Sequence, residues 1–280
     1  MKKVRDYTIL FLLAVAFVMM FKYSDIVKAS ILDSIFLWGK SLIPSMLPVY
    51  IILDLGLNYG LLELSCRLFK NNAVILIVIA LLAGTPTNAK YIREFYEEGY
   101  ISKSTGNFLL MFSYSPNPLF VLAFSPNMPT ALVILASIYL TNIFIFLIFA
   151  PKFEWVSSSI KTHERISFVD ALSKSIMKSK DILVLILGVV IVYGVLNTYL
   201  SIFHVDSIFI SSVLELTNAL AIISKSGFPL FWAMFACLFG GLSIHTQIKS
   251  ILEGTDLSYR YFLIGRLCAA LPILLFTRLY

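Results

Sequence analysis

A chain of 280 residues that is 59% apolar and 14% charged, with a mean hydropathy of +0.88, is too poor in charge for a soluble domain, where about a quarter of residues are charged. Its apolar residues come in continuous runs rather than in alternation, which excludes a membrane β-barrel and predicts an all-α polytopic membrane protein. The net charge of +6 comes from Lys and Arg placed between those runs, as the positive-inside bias expects, and is no sign of nucleic-acid binding.

Lys2, Lys3 and Arg5 precede an apolar run over residues 7–21. Val27-Lys28-Ala29 loosely resembles a signal-peptide cleavage site, but the spans that follow favour an uncleaved N-terminal transmembrane anchor, residues 1–28, with a cytoplasmic N-terminus. Ile31, Ile35, Phe36 and Trp38 fall on one helical face and predict an interfacial amphipathic helix over residues 29–40. Residues 42–57 predict a second span, interrupted near its start by Pro44 and Pro48. A mixed segment with Glu63, Arg67 and Lys70 leads to a short apolar run over residues 73–83. Residues 105–124 are apolar except at Ser113-Tyr114-Ser115-Pro116-Asn117-Pro118, where two prolines predict an unwound stretch inside the membrane. After the turn at residues 125–129, residues 130–150 cross back.

The longest polar connection follows and carries Lys152, Lys161, Arg165, Lys174, Lys178 and Lys180. Four spans counted from a cytoplasmic N-terminus put it in the cytoplasm, in agreement with its charge; residues 151–167 are the connection proper. Residues 182–200 predict the next span. Residues 206–224 are apolar but contain Glu215 and Asn218, a second short apolar run covers residues 228–239, and residues 259–280 form the last span. Arg266 in that span is expected to snorkel toward the surface. Cys66, Cys237 and Cys268 are isolated, with no spacing for a disulfide framework or a metal.

Two polar elbows dominate this pattern. Gly84-Thr85-Pro86-Thr87-Asn88-Ala89-Lys90 follows the first short run, and Gly240-Gly241-Leu242-Ser243-Ile244-His245-Thr246-Gln247 follows the second. Runs of about 10–14 apolar residues are too short to cross a bilayer and suggest re-entrant segments. Each elbow then opens a polar helical segment that ends at Gly99 or Gly254. Leu62-Glu63-Leu64 and Leu214-Glu215-Leu216 precede the two elbows. The halves, residues 29–150 and 168–280, read as a repeat, and the three spans that begin between the two unit starts invert one half against the other. An inverted repeat with two re-entrant hairpins and broken transmembrane helices describes the core of a secondary transporter, with its site at the breaks.

The elbow Gly84–Lys90, the stretch Gly99-Tyr100-Ile101-Ser102, the segment Ser113–Phe120 and the run Phe239–Gln247 together resemble the YlbJ family of sporulation integral membrane proteins, in consistent order from residue 42 to residue 271. That family is similar to the nucleoside-recognition, or Gate-domain, membrane proteins. The resemblance implies a place in the outer forespore membrane and transport of dipicolinic acid during endospore formation. Here Thr85-Pro86-Thr87-Asn88 stands where the family pattern is richer in glycine.

A small dianion needs hydrogen-bond donors that are cheap to desolvate, and half-helix N-termini supply them. Thr85, Thr87, Asn88, Ser243, His245, Thr246 and Gln247 add neutral groups at the elbows, Lys90 a countercharge, and Ser113, Ser115 and Asn117 sit at the third break. These are the candidate substrate-binding residues; Thr, Ser and Asn at such places also cap helix ends. Glu63, Glu215 and His245 are candidates for coupling to an ion or proton. No HExxH, GxSxG or Walker pattern is present, so no catalytic residue, cofactor or metal site is expected and the chain does not read as an enzyme. The expected partners are the lipid bilayer and a small-molecule anion, with a homo-oligomer compatible. A nucleoside carrier, with Glu63 or Asn88 on the ribose, and a non-transporting scaffold are the competing readings.

Overall fold

The computed structural model describes residues 2–69, 71, 73–153, 166–227 and 229–276. Residues 154–165 of the polar connection, with Lys161, His163 and Arg165, lie outside the described residues, as do Lys70, Phe228 and residues 277–280 at the end of the last span. Among the described residues the regular structure is helical throughout.

Helix α1 (Lys2–Lys22) carries a long apolar stretch that is exposed over most of residues 4–22, with Ala16 and Met19 half-buried, as a span largely bathed in lipid should be. Helix α2 (Ser24–Leu37) does not lie apart as an interfacial helix. It runs through a π-helical turn, Trp38–Leu42, into α3 (Ile43–Asn58), and together they make a continuous element of 35 residues. The π turn stands just ahead of Pro44, and Pro48 lies inside α3. Widened turns of this kind take up the ring and the missing N–H that a proline imposes on a helix. The apolar residues Ile35 and Phe36 of the expected amphipathic face are exposed; α2 packs on α10 (Phe168–Ile202) through Ser30, which meets Thr198, and the Trp38 indole N–H then donates to the Leu183 carbonyl at 3.0 Å.

Helix α4 (Leu61–Phe69) bends by 120° into α5 (Ala73–Ala83). At Gly84, with φ +74°, the chain turns again into α6 (Thr87–Glu97), which packs back on α5. This is the first expected hairpin. Then α7 (Lys103–Phe112) and α8 (Pro118–Phe124) are separated by residues 113–117 without helical structure, the expected unwound span. Helix α9 (Met128–Phe149) crosses back.

The second half departs from the sequence reading at one place. Helices α11 (Ile208–Leu214) and α12 (Leu216–Ser226) meet at the single extended residue Glu215 (φ −150°, ψ 121°) and pack against each other. Helices α13 (Leu230–Phe239) and α14 (Gly241–Ile251), by contrast, form one interrupted 22-residue element of membrane-crossing length. The second hairpin tip is therefore Glu215, and Gly240 breaks a span. The short run before Gly240 is completed by α14, whose Ser243, His245 and Gln247 are buried against protein. Glu63, on α4, has no counterpart role at a tip. Helix α15 (Tyr259–Phe276) closes the fold.

In lipid, packing rather than hydrophobicity holds helices together, so close backbone approach matters. The closest is α15 on α7, where a side-chain methyl at Gly265 would collide with the Met111 carbonyl. Helix propensity alone favours Ala over Gly by about 1 kcal/mol. Packing reverses the sign: Gly265→Ala is expected to lower stability by about 1–3 kcal/mol, the usual range for overpacking, read as a fall in melting temperature of the detergent-solubilised protein.

Candidate functional site

Four helix ends are stranded inside the fold by the breaks, and each is closed by a particular side chain. Asn117 is the N-cap of α8: its Oδ1 accepts from the Leu119 and Phe120 N–H groups at 2.8 and 3.3 Å. Its Nδ2 faces the carbonyls of Ser45, Leu82 and Ala83 at 3.0, 3.3 and 3.3 Å, so one amide holds α8, the end of α5 and α3 together. Glu215 does the same work for α12, its two carboxylate oxygens accepting from Thr217 N–H at 2.9 Å and Asn218 N–H at 2.6 Å. The hairpin tips rest on the breaks. A Cβ at Gly84 would collide with the Asn117 backbone, and one at Gly241 would come to 3.0 Å from the Leu216 nitrogen.

The C-terminal ends of α7 and α13 share one cation. Arg266 does not snorkel; it is fully buried. Its Nη1 donates to Leu238 O at 3.1 Å and its Nη2 to Met111 O and Asn142 Oδ1 at 3.3 and 3.4 Å. The guanidinium stacks over the Tyr114 ring with its carbon 4.2 Å from the centroid. No carboxylate pairs with it among the described residues. A positive charge at two carbonyl-rich helix ends is favourable in itself, which is why this arginine can stay buried.

Between the tips and breaks lies a cavity of about 40 Å³ lined by Thr85, Pro86, Pro116, Asn117, Glu215, Thr217 and Gln247, with apolar walls from α3, α10 and α14. Water needs about 10–15 Å³ on this measure, so the cavity has room for a few waters and is closed to an organic solute. The candidate residues divide around it. Thr85, Asn117 and Gln247 line it. Asn88 is buried behind it, donating to Ser113 O at 2.9 Å and accepting from the Thr85 hydroxyl at 2.9 Å. Thr87 is buried, and the Ser113 and Ser115 hydroxyls donate to Leu109 O and Pro116 O at 2.6 and 2.9 Å. Ser243 is fully buried, on the α14 face that also carries Gln247.

Three candidates lie elsewhere. Lys90 donates to the Tyr50 hydroxyl and the Lys178 carbonyl, each at 2.8 Å, which binds α6 to α3 and α10. Thr246 is exposed and pairs with the Tyr193 hydroxyl at 2.7 Å. His245 packs among Phe239, Tyr259 and Phe262. Its Nε2 faces Phe239 O at 3.2 Å and its Nδ1 the Tyr259 hydroxyl at 2.7 Å. A carbonyl only accepts, so Nε2 carries the proton and Nδ1 takes one from the tyrosine. Neither nitrogen reaches the cavity.

A second polar group, unforeseen from the sequence, sits at the far end of α6. Asp54, almost fully buried, receives the Ser175 hydroxyl and pairs with Lys178 at 3.3 Å; Lys178 also reaches Glu94 at 3.8 Å. Glu63 lines a separate cavity with Asp54, Glu94 and Lys178, not the one that holds Glu215. The lone Asp in the otherwise apolar run 42–57 was the available signal. Among the described residues no group of three His, Cys, Asp or Glu side chains is placed to hold a metal ion.

Comparison with known proteins adds a relative. The chain aligns at 23% identity with the sporulation integral membrane protein YlbJ of Bacillus subtilis (strain 168), over 87% of this chain and 74% of that protein. The chain is YlbJ-like. It shares with that relative the character of an integral membrane protein, and among the described residues five helical elements are long and apolar enough to cross a bilayer. No protein-family model matches this YlbJ-like chain, and no solved structure does.

Asn117 carries the most backbone partners of any candidate. Asn117→Leu, similar in volume, should cost about 2–4 kcal/mol, because it removes a cap worth roughly 1 kcal/mol and leaves buried backbone groups unpaired. A melting curve within a degree of the parent's would show that water takes over these bonds.

Proposed function

We propose that this YlbJ-like protein carries a small organic anion across a membrane during endospore formation, with dipicolinate the first substrate to test. The observation that supports this most is the convergence of two hairpin tips and two broken spans on one small cavity, apolar for the most part, onto which Thr85, Asn117, Glu215, Thr217 and Gln247 open. Irregular backbone at membrane depth is tolerated where it lines a solute path, and carriers place their sites at such breaks. The N-termini of α8 and α12 both end at this cavity, capped there by Asn117 and Glu215, so a hairpin that swings away would change what caps them. The site is closed, so a hairpin must swing away for solute to enter, and the tips at Gly84 and Glu215 are the natural moving parts. The two halves are read as inverted relative to each other: a 35-residue helical element, a hairpin and a broken span recur in the same order in each.

One observation favours a second reading. The acidic side chain on the cavity is Glu215, which suits a neutral hydroxylated solute such as a nucleoside better than an anion.

The test is flux of labelled dipicolinate into vesicles containing the purified protein, with a nucleoside as competitor. Uptake that dipicolinate saturates and the nucleoside leaves unchanged is expected; the reverse pattern installs the second reading, and no flux of either removes the carrier. In a variant lacking the three native cysteines, joining Thr85→Cys to Thr217→Cys with a thiol cross-linker should stop uptake, and cleaving the linker should restore it. Topology is checked separately. Lys174→Cys should react with an impermeant thiol reagent only from the cytoplasmic side, and reaction from outside would overturn the proposed orientation.

A further inference from the structure

Glu215 is 2% exposed and has no basic side chain as partner among the described residues. Its oxygens each accept one backbone N–H, and the Ser243 hydroxyl on α14 lies beside them as a further donor. One more buried oxygen stands nearby without a hydrogen-bond partner: Gln247 Oε1, on a side chain 2% exposed that lines the same cavity as Glu215. Polar atoms buried without partners in a native fold are uncommon and call for an explanation. A charge buried without a counterion is costlier still.

These features have a common solution. We propose that the cavity binds a single monovalent alkali cation, held by the Glu215 carboxylate and Gln247 Oε1, with water filling the remaining coordination. The volume, about 40 Å³, suits a bare ion with a water or two and excludes an organic cation. The ligands are hard oxygens, which alkali ions prefer, and they come from the tip of one hairpin and from the broken span it rests on. A bound cation neutralises Glu215 and ties α12 to α14. A proton on Glu215, donated to Gln247 Oε1, is the competing solution, and the acidic arm of the experiment below separates it from a cation. The role of the ion in transport rests on the carrier reading: it would remove the negative charge that repels an anionic solute from this cavity. Binding itself does not rest on it.

The purified full-length protein is therefore to be melted in sodium, potassium and choline chloride at equal ionic strength, at neutral and at mildly acidic pH, with no solute present. A saturable rise in melting temperature with sodium or potassium over choline is expected, on the order of 5 °C at about 100 times the dissociation constant. The Gln247→Leu variant, which keeps the side-chain volume, and Glu215→Gln should both lose that rise. Direct binding of radioactive sodium to the parent protein gives a readout independent of whether either variant folds. Superimposable curves in all three salts without sodium binding, or stabilisation by acid alone, would overturn the site. Alkali-specific stabilisation in a protein that moves no dipicolinate would uphold the ion site and count against the carrier.

Discussion

The fold depends on how backbone amides and carbonyls are satisfied where helices stop inside the membrane. An unpaired N–H or C=O costs several kcal/mol in hydrocarbon, with no water to relieve it. Helices interrupted at residues 84–86, 113–117, 215 and 240 each expose such groups, and few side chains close them. Asn117 and Glu215 cap the N-terminal ends, and Arg266 takes a carbonyl from the C-terminal end of each broken span. That division of labour follows the helix dipole: acceptors at the N-termini, a cation at the C-termini.

This arrangement also explains why the polar centre is small. Each tip is pressed onto a break by a glycine that leaves no room for a methyl group, Gly84 against Asn117 and Gly241 against Leu216. What remains is a cavity with room for water or an ion. At the far end of the first hairpin, Lys90, Asp54 and Lys178 fasten α6 to the two long helical elements. The second hairpin lacks a comparable ionic clasp among the described residues, with Lys225 at the end of α12 exposed. If one hairpin opens, the physical contrast favours the second.

Much of this was legible in the chain. Pro116, Asn117 and Pro118 together announce an unwound span, since two missing donors and two rings cannot be housed in a helix. Gly84 followed by Thr85 and Pro86 announces a turn. Thr85 and Gln247, from the elbows, and Asn117, from the third break, are among the candidates the chain offers, and they line one cavity. Lys90, Thr246 and His245, from the same elbows, point elsewhere, because a helix shows different faces on successive residues and only packing decides which one is inward. Arg266 looked like a surface-seeking residue because sequence carries no record of the two carbonyls waiting for it.

Hydropathy and the spacing of prolines and glycines by themselves determined an all-helical membrane chain with interrupted helices, because apolar run length and backbone-incompatible residues act locally. Only the tertiary structure decided which interruption is a tip and which a crossing. Gly240 and Glu215 both end a helix, and the direction the chain takes afterwards depends on what each next helix can pack against. For α12 that is α11, and for α14 it is the long helix α10. Contacts between segments this far apart in the chain leave no periodicity to read.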